Sequence, residues 1–139
     1  MTILDTNVIS ALMQVSPEAA IIEWLDQQAA DELWITSVTV YELRLGLALL
    51  PPGKHRRALE EALVRLLMED LEHRVVDFDA AAATTAAALT AARRKRGLPA
   101  DLRDTQIAGI VLARRATLAT RNVRHFADLD VPVVNPWDQ

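Results

Sequence analysis

Three acidic side chains stand in sequence contexts that suit metal chemistry. Asp5 ends the apolar run Ile3-Leu4, which is typical of a buried strand, so its carboxylate is expected at the sheet edge where open α/β folds bind ligands. Glu42 lies near the start of a helix that follows a second predicted strand. Asp104 precedes apolar residues at positions 107, 108 and 111, so it shares the apolar stripe of a helix. A carboxylate facing the interior needs a partner or a cation.

Convergence of these carboxylates would create a site for a divalent cation. Two carboxylates about 4 Å apart repel by about 4 kcal/mol at an effective dielectric near 20, so a cluster must hold protons or cations. Mg²⁺ or Mn²⁺ is the expected occupant because hard cations prefer oxygen ligands. The chemistry that this site favours is phosphodiester hydrolysis, in which metal-activated water attacks phosphorus while the cations neutralise the phosphate charge.

Each acid also has a purely structural interpretation. Asp5 suits the N-cap of the helix that follows it. Glu42 fits the capping box Thr39-x-x-Glu42, in which the glutamate reaches back to the backbone of the cap residue. Asp104 would lie in the first turn of its helix, where the helix dipole stabilises a negative charge. Local spacing leaves both interpretations open for all three residues.

The elements that position these acids alternate along the chain. Short apolar runs predict five strands, and the intervening segments show helical spacing. Strands are expected near 3–4, 33–36, 74–76, 117–119 and 133–134, and helices near 7–13, 16–29, 37–50, 54–71, 79–97 and 101–115. Strands separated by helices predict an α/β fold with a mostly parallel sheet covered on both faces, within a single domain spanning 1–139.

Cap and turn residues refine several of these helices. Ser16-Pro17-Glu18 predicts a helix start with serine as the cap and proline at the first position. Ser37 or Thr39 is expected to open the next helix, which Pro51-Pro52-Gly53 ends, so the following helix forms a hairpin with it. Asp79 is expected to cap an alanine-rich helix whose small side chains permit close packing against a neighbour.

Composition limits the classes of function. The 139 residues suffice for one domain, and the absence of cysteine excludes disulfides and thiolate metal sites. No apolar run approaches a membrane span and no signal peptide is visible, so a cytoplasmic protein is expected. A net charge of −4 argues against bulk nonspecific binding to nucleic acid, although bound cations would reverse the charge of an acidic site.

Other catalytic motifs are absent. The sequence has no H-E-x-x-H zinc motif, no glycine-rich phosphate loop and no G-x-S-x-G nucleophile elbow. A receiver-like or phosphatase domain with Asp5 as nucleophile is disfavoured because D-x-D-x-T is also missing.

Five segments, in order and spacing, resemble those of PIN-domain proteins, and are most similar to the VapC/FitB-type toxins of bacterial toxin-antitoxin systems. The segments are Leu4-Asp-Thr-Asn-Val8, Tyr41-Glu-Leu-Arg-Leu-Gly46, Asp104-Thr-Gln-Ile-Ala108, Leu118-Ala-Thr-Arg-Asn-Val-Arg-His-Phe126 and Asn135-Pro-Trp137. The resemblance implies a three-layer α/β/α sandwich, an Mg²⁺- or Mn²⁺-dependent endoribonuclease, a small antitoxin partner and a homodimer. It places the metal ligands at Asp5, Glu42 and Asp104, with Thr6 and Asn7 as polar support.

One departure from the family pattern concerns the number of cations. Many members carry a fourth acid where this chain has Asn122, whose amide oxygen coordinates weakly and brings no charge. Asp101, one turn before Asp104, is interpreted either as a substitute ligand or as a helix N-cap. Asn122 also sustains a rival hypothesis, a PIN-like module that binds a DNA-binding antitoxin and cleaves poorly.

The basic residues have two interpretations as well. Arg121 and Arg124 are candidates for contact with substrate phosphate or for a solvated loop. The run from Arg93 to Arg96 would either steer RNA or simply complement the dipole at the end of its helix.

Overall fold

The computed structural model describes all residues from 1 to 139 and contains a five-stranded parallel sheet. The strands are β1 (Thr2–Leu4), β2 (Leu33–Thr36), β3 (Val75–Val76), β4 (Thr117–Ala119) and β5 (Val133–Val134), in the spatial order β3-β2-β1-β4-β5. Central β1 pairs with both β2 and β4, so that Ile3 lies opposite Trp34 on one side and Leu118 on the other. The predicted α/β class and the five strand positions are confirmed.

Six α-helices connect and flank the strands. They are α1 (Thr6–Leu12), α2 (Ala19–Asp26), α3 (Ser37–Leu49), α4 (Lys54–Arg65), α5 (Ala80–Lys95) and α6 (Leu102–Arg114). Leu66–Asp70 continues α4 as a π-helical turn, and short 3₁₀ turns lie at Ala30–Glu32, Val123–Phe126 and Pro136–Asp138. None of the helices is both long enough and apolar enough to span a membrane.

Alternating strand side chains divide the core into two clusters. Ile3 and Leu118 belong to the cluster that includes buried residues of α5 and α6, whereas Leu4 and Ala119 belong to the cluster on the side of α1, α2, α3 and α4. Successive side chains of a strand point to opposite faces, so one short strand supplies both clusters. The result is a three-layer α/β/α arrangement with β1 at its centre.

Helices α5 and α6 approach each other closely, as the alanine content of α5 predicts. An ideal Cβ built on Gly109 of α6 would lie 2.5 Å from the carbonyl oxygen of Ala82 and 2.7 Å from the Cβ of Ala86. No side chain larger than hydrogen fits at Gly109 without movement of the helices. This contact fixes α6, and therefore Asp104, against the rest of that layer.

One predicted helix start and one predicted cap residue are wrong. Helix α2 begins at Ala19, after an extended Glu18, rather than with Ser16 as its cap, and it ends at Asp26 rather than near residue 29. Val15 is fully exposed, so no core contact holds a helical turn before Ala19. Helix α3 begins at Ser37, one of the two predicted openings, but its cap is Thr36 and not Thr39. The Thr36 hydroxyl accepts from the backbone N–H of Thr39 at 3.0 Å.

The earlier cap of α3 removes the capping-box interpretation of Glu42. A capping-box glutamate must lie three residues after the cap, and Glu42 lies six residues after Thr36. Its carboxylate instead accepts from Thr6 of α1. The side chain is therefore free of its own helix end and contributes to the crevice described next.

Candidate active site

A crevice forms at the carboxyl ends of β1, β2 and β4. Asp5 directly follows β1, Thr36 ends β2 and Thr120 directly follows β4. The chain leaves β1 toward β2 on one side and returns to β4 on the other, so the order of strands reverses here. Open α/β sheets place ligand sites at this switch point because the helices diverge there.

Asp5 is both a helix cap and a crevice residue. Its side chain is buried, and the residue is 5% exposed. Oδ1 accepts from the backbone N–H of Thr6 at 2.8 Å, which caps α1, while Oδ2 accepts from the Thr120 hydroxyl at 2.7 Å. The cap interpretation of Asp5 is therefore confirmed, and its second oxygen is directed to Thr120 at the end of β4.

Burial dominates the electrostatics of Asp5. Desolvation raises the pKa of its carboxyl group above the ordinary value, and the hydrogen bonds from Thr120 and Thr6 oppose that rise. The negative charge of Asp104 raises the pKa further, while His125 lowers it. A carboxylate in this environment gains stability from any cation that enters the crevice.

The Thr120 hydroxyl joins β4 to β1 and was missed as a site residue by sequence reasoning. Besides donating to Asp5, it accepts from Asn7 Nδ2 at 3.3 Å and from the backbone N–H of Asn122 at 3.0 Å. Asn7 is also 3.5 Å from Asp5 Oδ2 through Nδ2, and its Oδ1 accepts from the backbone N–H of Arg121 at 3.2 Å. The available signal was position, because Thr120 follows β4 as Asp5 follows β1.

A series of threonine hydroxyls leads to Glu42. Thr6 Oγ1 donates to Glu42 Oε1 at 3.0 Å and lies 3.0 Å from Thr39 Oγ1, which accepts from Thr36 Oγ1 at 3.3 Å. Each hydroxyl has one proton, so donation from Thr6 to the carboxylate requires that Thr39 donate to Thr6. Thr36 and Thr39 are fully buried, and the series fixes one orientation for Thr6.

Glu42 is less buried than Asp5 and has a cationic neighbour. Burial raises the pKa of its carboxyl group, and the Thr6 hydrogen bond and the Arg103 charge lower it. Arg103 Nη1 lies 3.7 Å from Glu42 Oε2, and its guanidinium stacks 5.3 Å from the ring centroid of Tyr41. Both Asp5 and Asp104 raise the pKa of Glu42, so the three carboxylates lie within electrostatic range of one another.

Asp104 enters the crevice from the first turn of α6. Its backbone N–H donates to Asp101 Oδ1 at 3.0 Å, so Asp101 is the N-cap of α6. The Asp104 side chain is 29% exposed, and its Oδ2 lies 3.3 Å from Nδ1 of His125. His125 stands in no metal-binding motif, and sequence reasoning missed it because the 3₁₀ turn that brings it to Asp104 depends on the packed fold.

Asn122 and Arg121 contribute less to the crevice than the sequence suggested. Asn122 is exposed and reaches the cluster through its backbone N–H, not through its amide. The Arg121 guanidinium lies 4.5 Å from the ring centroid of Trp137 and 3.7 Å from Glu18, so it is directed toward those residues. Hydrogen bonds link Asp5, Thr6, Asn7 and Glu42, and Asp104 lies within electrostatic range of the two acids, whereas these two side chains lie outside the group.

The donor set fits Mg²⁺ or Mn²⁺ in chemical type. All three carboxylates offer oxygen ligands, the preferred ligands of hard cations, and two of them have pKa values raised by burial. No group of three or more acidic or histidine side chains is close enough to hold one cation together. Mg²⁺ is commonly bound by one or two carboxylates and keeps several waters, so the residues suit such a site better than a closed protein cage.

Known proteins of similar sequence and fold match this chain along nearly its whole length. The family model described as PIN domain matches residues 2–132. The plasmid stability protein StbB of Pseudomonas syringae pv. tomato is 40% identical over 99% of both chains. The VapC ribonuclease Y4jK of Sinorhizobium fredii is 36% identical, also over 99% of both chains. The solved structure of FitAcB from Neisseria gonorrhoeae superposes with a TM-score of 0.90 at 34% identity, covering 100% of each chain.

Proposed function

The chain belongs to the PIN-domain family, and from that premise we propose that it is the endoribonuclease toxin of a bacterial toxin-antitoxin pair. The observation that carries the proposal is the buried Asp5 carboxylate at the strand switch point, with Glu42 and Asp104 in electrostatic range. The similarity to a VapC ribonuclease along the whole chain supports the same reaction class. Hydrolysis of cellular RNA would place the protein in the cytoplasm.

We propose Mg²⁺ or Mn²⁺ as the cofactor, with Asp5, Glu42 and Asp104 as the ligand residues and one or two of these carboxylates on each cation. When bound, the cation supplies Lewis-acid chemistry, because it neutralises phosphate charge and lowers the pKa of water. The protein's own groups prepare the carboxylates for this role. Thr120 and the backbone N–H of Thr6 favour the ionised form of Asp5, and Thr6 holds Glu42 in one orientation.

The activity is tested by incubating the purified protein with structured RNAs and Mn²⁺. We expect cleavage that EDTA abolishes and that the double variant Asp5→Asn plus Asp104→Asn lacks. Asp130→Asn is the matched control, since this aspartate takes part in no salt bridge or side-chain hydrogen bond and should leave cleavage unchanged. Cleavage that survives EDTA or the double substitution would contradict the mechanism.

A second candidate function is a PIN-like binding module that cleaves poorly and acts mainly through its protein partner. The observation that favours it is the absence of any three-residue ligand group, together with an uncharged and outward Asn122. Calorimetric titration with Mg²⁺ and Mn²⁺ separates the two candidates. Binding that Asp5→Asn removes supports the nuclease, whereas no heat at millimolar metal supports the module.

The proposed partners are RNA, a cognate antitoxin and a second copy of the chain. The α3–α4 hairpin offers a candidate dimer surface because Tyr41, Leu49, Val64 and Met68 are large, apolar and exposed. Sedimentation velocity of the wild type and of Leu49→Glu tests this surface, and a monomer in both cases rejects it. Co-purification with the product of the neighbouring reading frame tests the antitoxin.

A further inference from the structure

We propose that a groove beside Asp104 binds the RNA chain next to the scissile bond, with Arg96 and Arg124 as contacts to flanking phosphates. This inference rests on the proposed ribonuclease function and names the part of the protein that holds its substrate. The groove encloses about 550 Å³ and is lined by residues from the end of α5, the loop before α6 and the 3₁₀ turn at Val123–Phe126. Asp104 and His125 are among the lining residues and lie 3.3 Å apart through Oδ2 and Nδ1.

The three arginines of the groove differ in their availability. Arg93 is 5% exposed at its side chain and donates to both Asp128 oxygens, at 2.9 and 2.8 Å, and to the His125 carbonyl at 2.7 Å. It therefore fixes the 3₁₀ turn to α5 and has little capacity left for a ligand. Arg96 and Arg124 are exposed and take part in no ion pair, so both guanidiniums are available.

Arg96 and Arg124 line the same groove as Asp104, and this position places them beside the proposed reaction centre. Arg93 and Asp104 line the same groove, and the charge of Asp104 raises the pKa of Arg93. Arg96 lies near enough to Asp128 to lower the pKa of that carboxyl group. A chain leaving the crevice past Asp104 would meet these two free guanidiniums, whose planar geometry suits phosphate oxygens.

The negative charge of Asp101 predicts an effect on RNA binding opposite to that of the arginines. Its carboxylate lines the groove, where it repels phosphate, and it also serves as the N-cap of α6. Asparagine caps a helix about as well as aspartate does. Removing the charge without the cap should therefore strengthen binding to RNA, opposite to the effect of removing either arginine.

The shape of the groove favours single-stranded RNA. A volume of about 550 Å³ falls within the range of small-ligand pockets, which fits one or a few nucleotides and not a duplex. Exposed Leu98 and Pro99 give one wall an apolar surface against which a base or sugar can pack. Proteins read single-stranded loops in the same way, through splayed bases and backbone contacts.

The test uses the full chain with a fluorescent single-stranded RNA, measuring cleavage kinetics and, in separate titrations, binding between about 50 and about 200 mM salt. We expect Arg96→Gln and Arg124→Gln each to raise KM roughly three- to tenfold with kcat unchanged. Each should also reduce the slope of log affinity against log salt by about 0.7. Asp101→Asn should lower KM, and Arg65→Gln, an exposed arginine in the last turn of α4, should change nothing.

Each outcome decides the proposal. A double Arg96→Gln, Arg124→Gln variant that keeps the wild-type KM and salt slope overturns it, as does a loss of kcat at unchanged KM. Variants that lose antitoxin binding but keep RNA binding assign the groove to the protein partner instead. If the wild type binds RNA without cleaving it, the nuclease proposal fails. The salt slopes of the variants then still decide whether the groove binds RNA.

Discussion

Replacing Gly109 with alanine should destabilise the protein although alanine is the better helix former. In an exposed helix the change gains about 1 kcal/mol. At Gly109 the new Cβ meets the Ala82 carbonyl oxygen at 2.5 Å and the Ala86 Cβ at 2.7 Å. Neither atom can rotate away, so α5 and α6 must separate by about 1 Å to restore contacts of roughly 3.5 Å. Overpacking of this kind costs about 3 kcal/mol at the upper end of its usual range, which leaves a net loss of about 2 kcal/mol.

Thermal unfolding of Gly109→Ala and Gly46→Ala measures this difference. Gly46 lies in α3, and nothing lies within 4 Å of the position of an added Cβ. Its substitution by alanine therefore gains helix propensity without a steric clash. At about 3–4 °C per kcal/mol for a chain of this size, Tm should fall by about 7 °C for Gly109→Ala and rise by about 3 °C for Gly46→Ala. Equal shifts of the same sign in both variants would refute the packing argument.

Three other substitutions test contacts around the crevice. Because burial raises the pKa of Asp5, this group stabilises the fold only while protonated, and that contribution is lost as pH rises through the folded-state pKa. In EDTA, urea unfolding should therefore show Asp5→Asn gaining stability relative to wild type as pH rises above about 4, the ordinary range of an aspartate, and a pH-independent difference would contradict this. Arg93→Met should lower the unfolding free energy by about 2 kcal/mol, measured by urea titration, because it removes the charge-assisted hydrogen bonds to Asp128 and to the His125 carbonyl. A loss of under about 0.5 kcal/mol would show the pair to be dispensable. Thr120→Val removes the hydroxyl that lowers the pKa of Asp5, so the acidic limb of the cleavage profile should move to higher pH, and an unmoved limb argues against Asp5 as the titrating group.

The order of elements was predictable from the sequence because each depends on local signals. Apolar runs located all five strands, and the cap residues Asp79 and Asp101 begin their helices as expected. Helix α2 was misplaced because its cap-like Ser16 has no core contact behind it to hold the first turn. A cap signal predicts a helix start only where apolar residues of the same turn reach the core.

The contacts within the site were not predictable because they depend on where helices end and how they pack. A shift of the α3 cap from Thr39 to Thr36 turns Glu42 from a partner of its own helix end into an acceptor for Thr6. Thr120 and His125 reach Asp5 and Asp104 across 115 and 21 residues of sequence. No local pattern encodes such distances, whereas Asp5 and Asp104 stand out locally because each lies at the start of a helix.

The placement of Asp5 explains why the cap role and the proposed ligand role are compatible at a strand switch point. A residue that directly follows a central strand and begins a helix must turn one carboxylate oxygen toward the new helix and the other toward the crevice. The cap bond holds the side chain still, and Thr120 sets the direction of the second oxygen. An alanine at this position would therefore lose the cap, about 1 kcal/mol, together with the proposed ligand oxygen, whereas asparagine would retain most of the cap and remove the negative charge. Comparing the two variants for helix stability and for metal binding separates the two roles of one side chain.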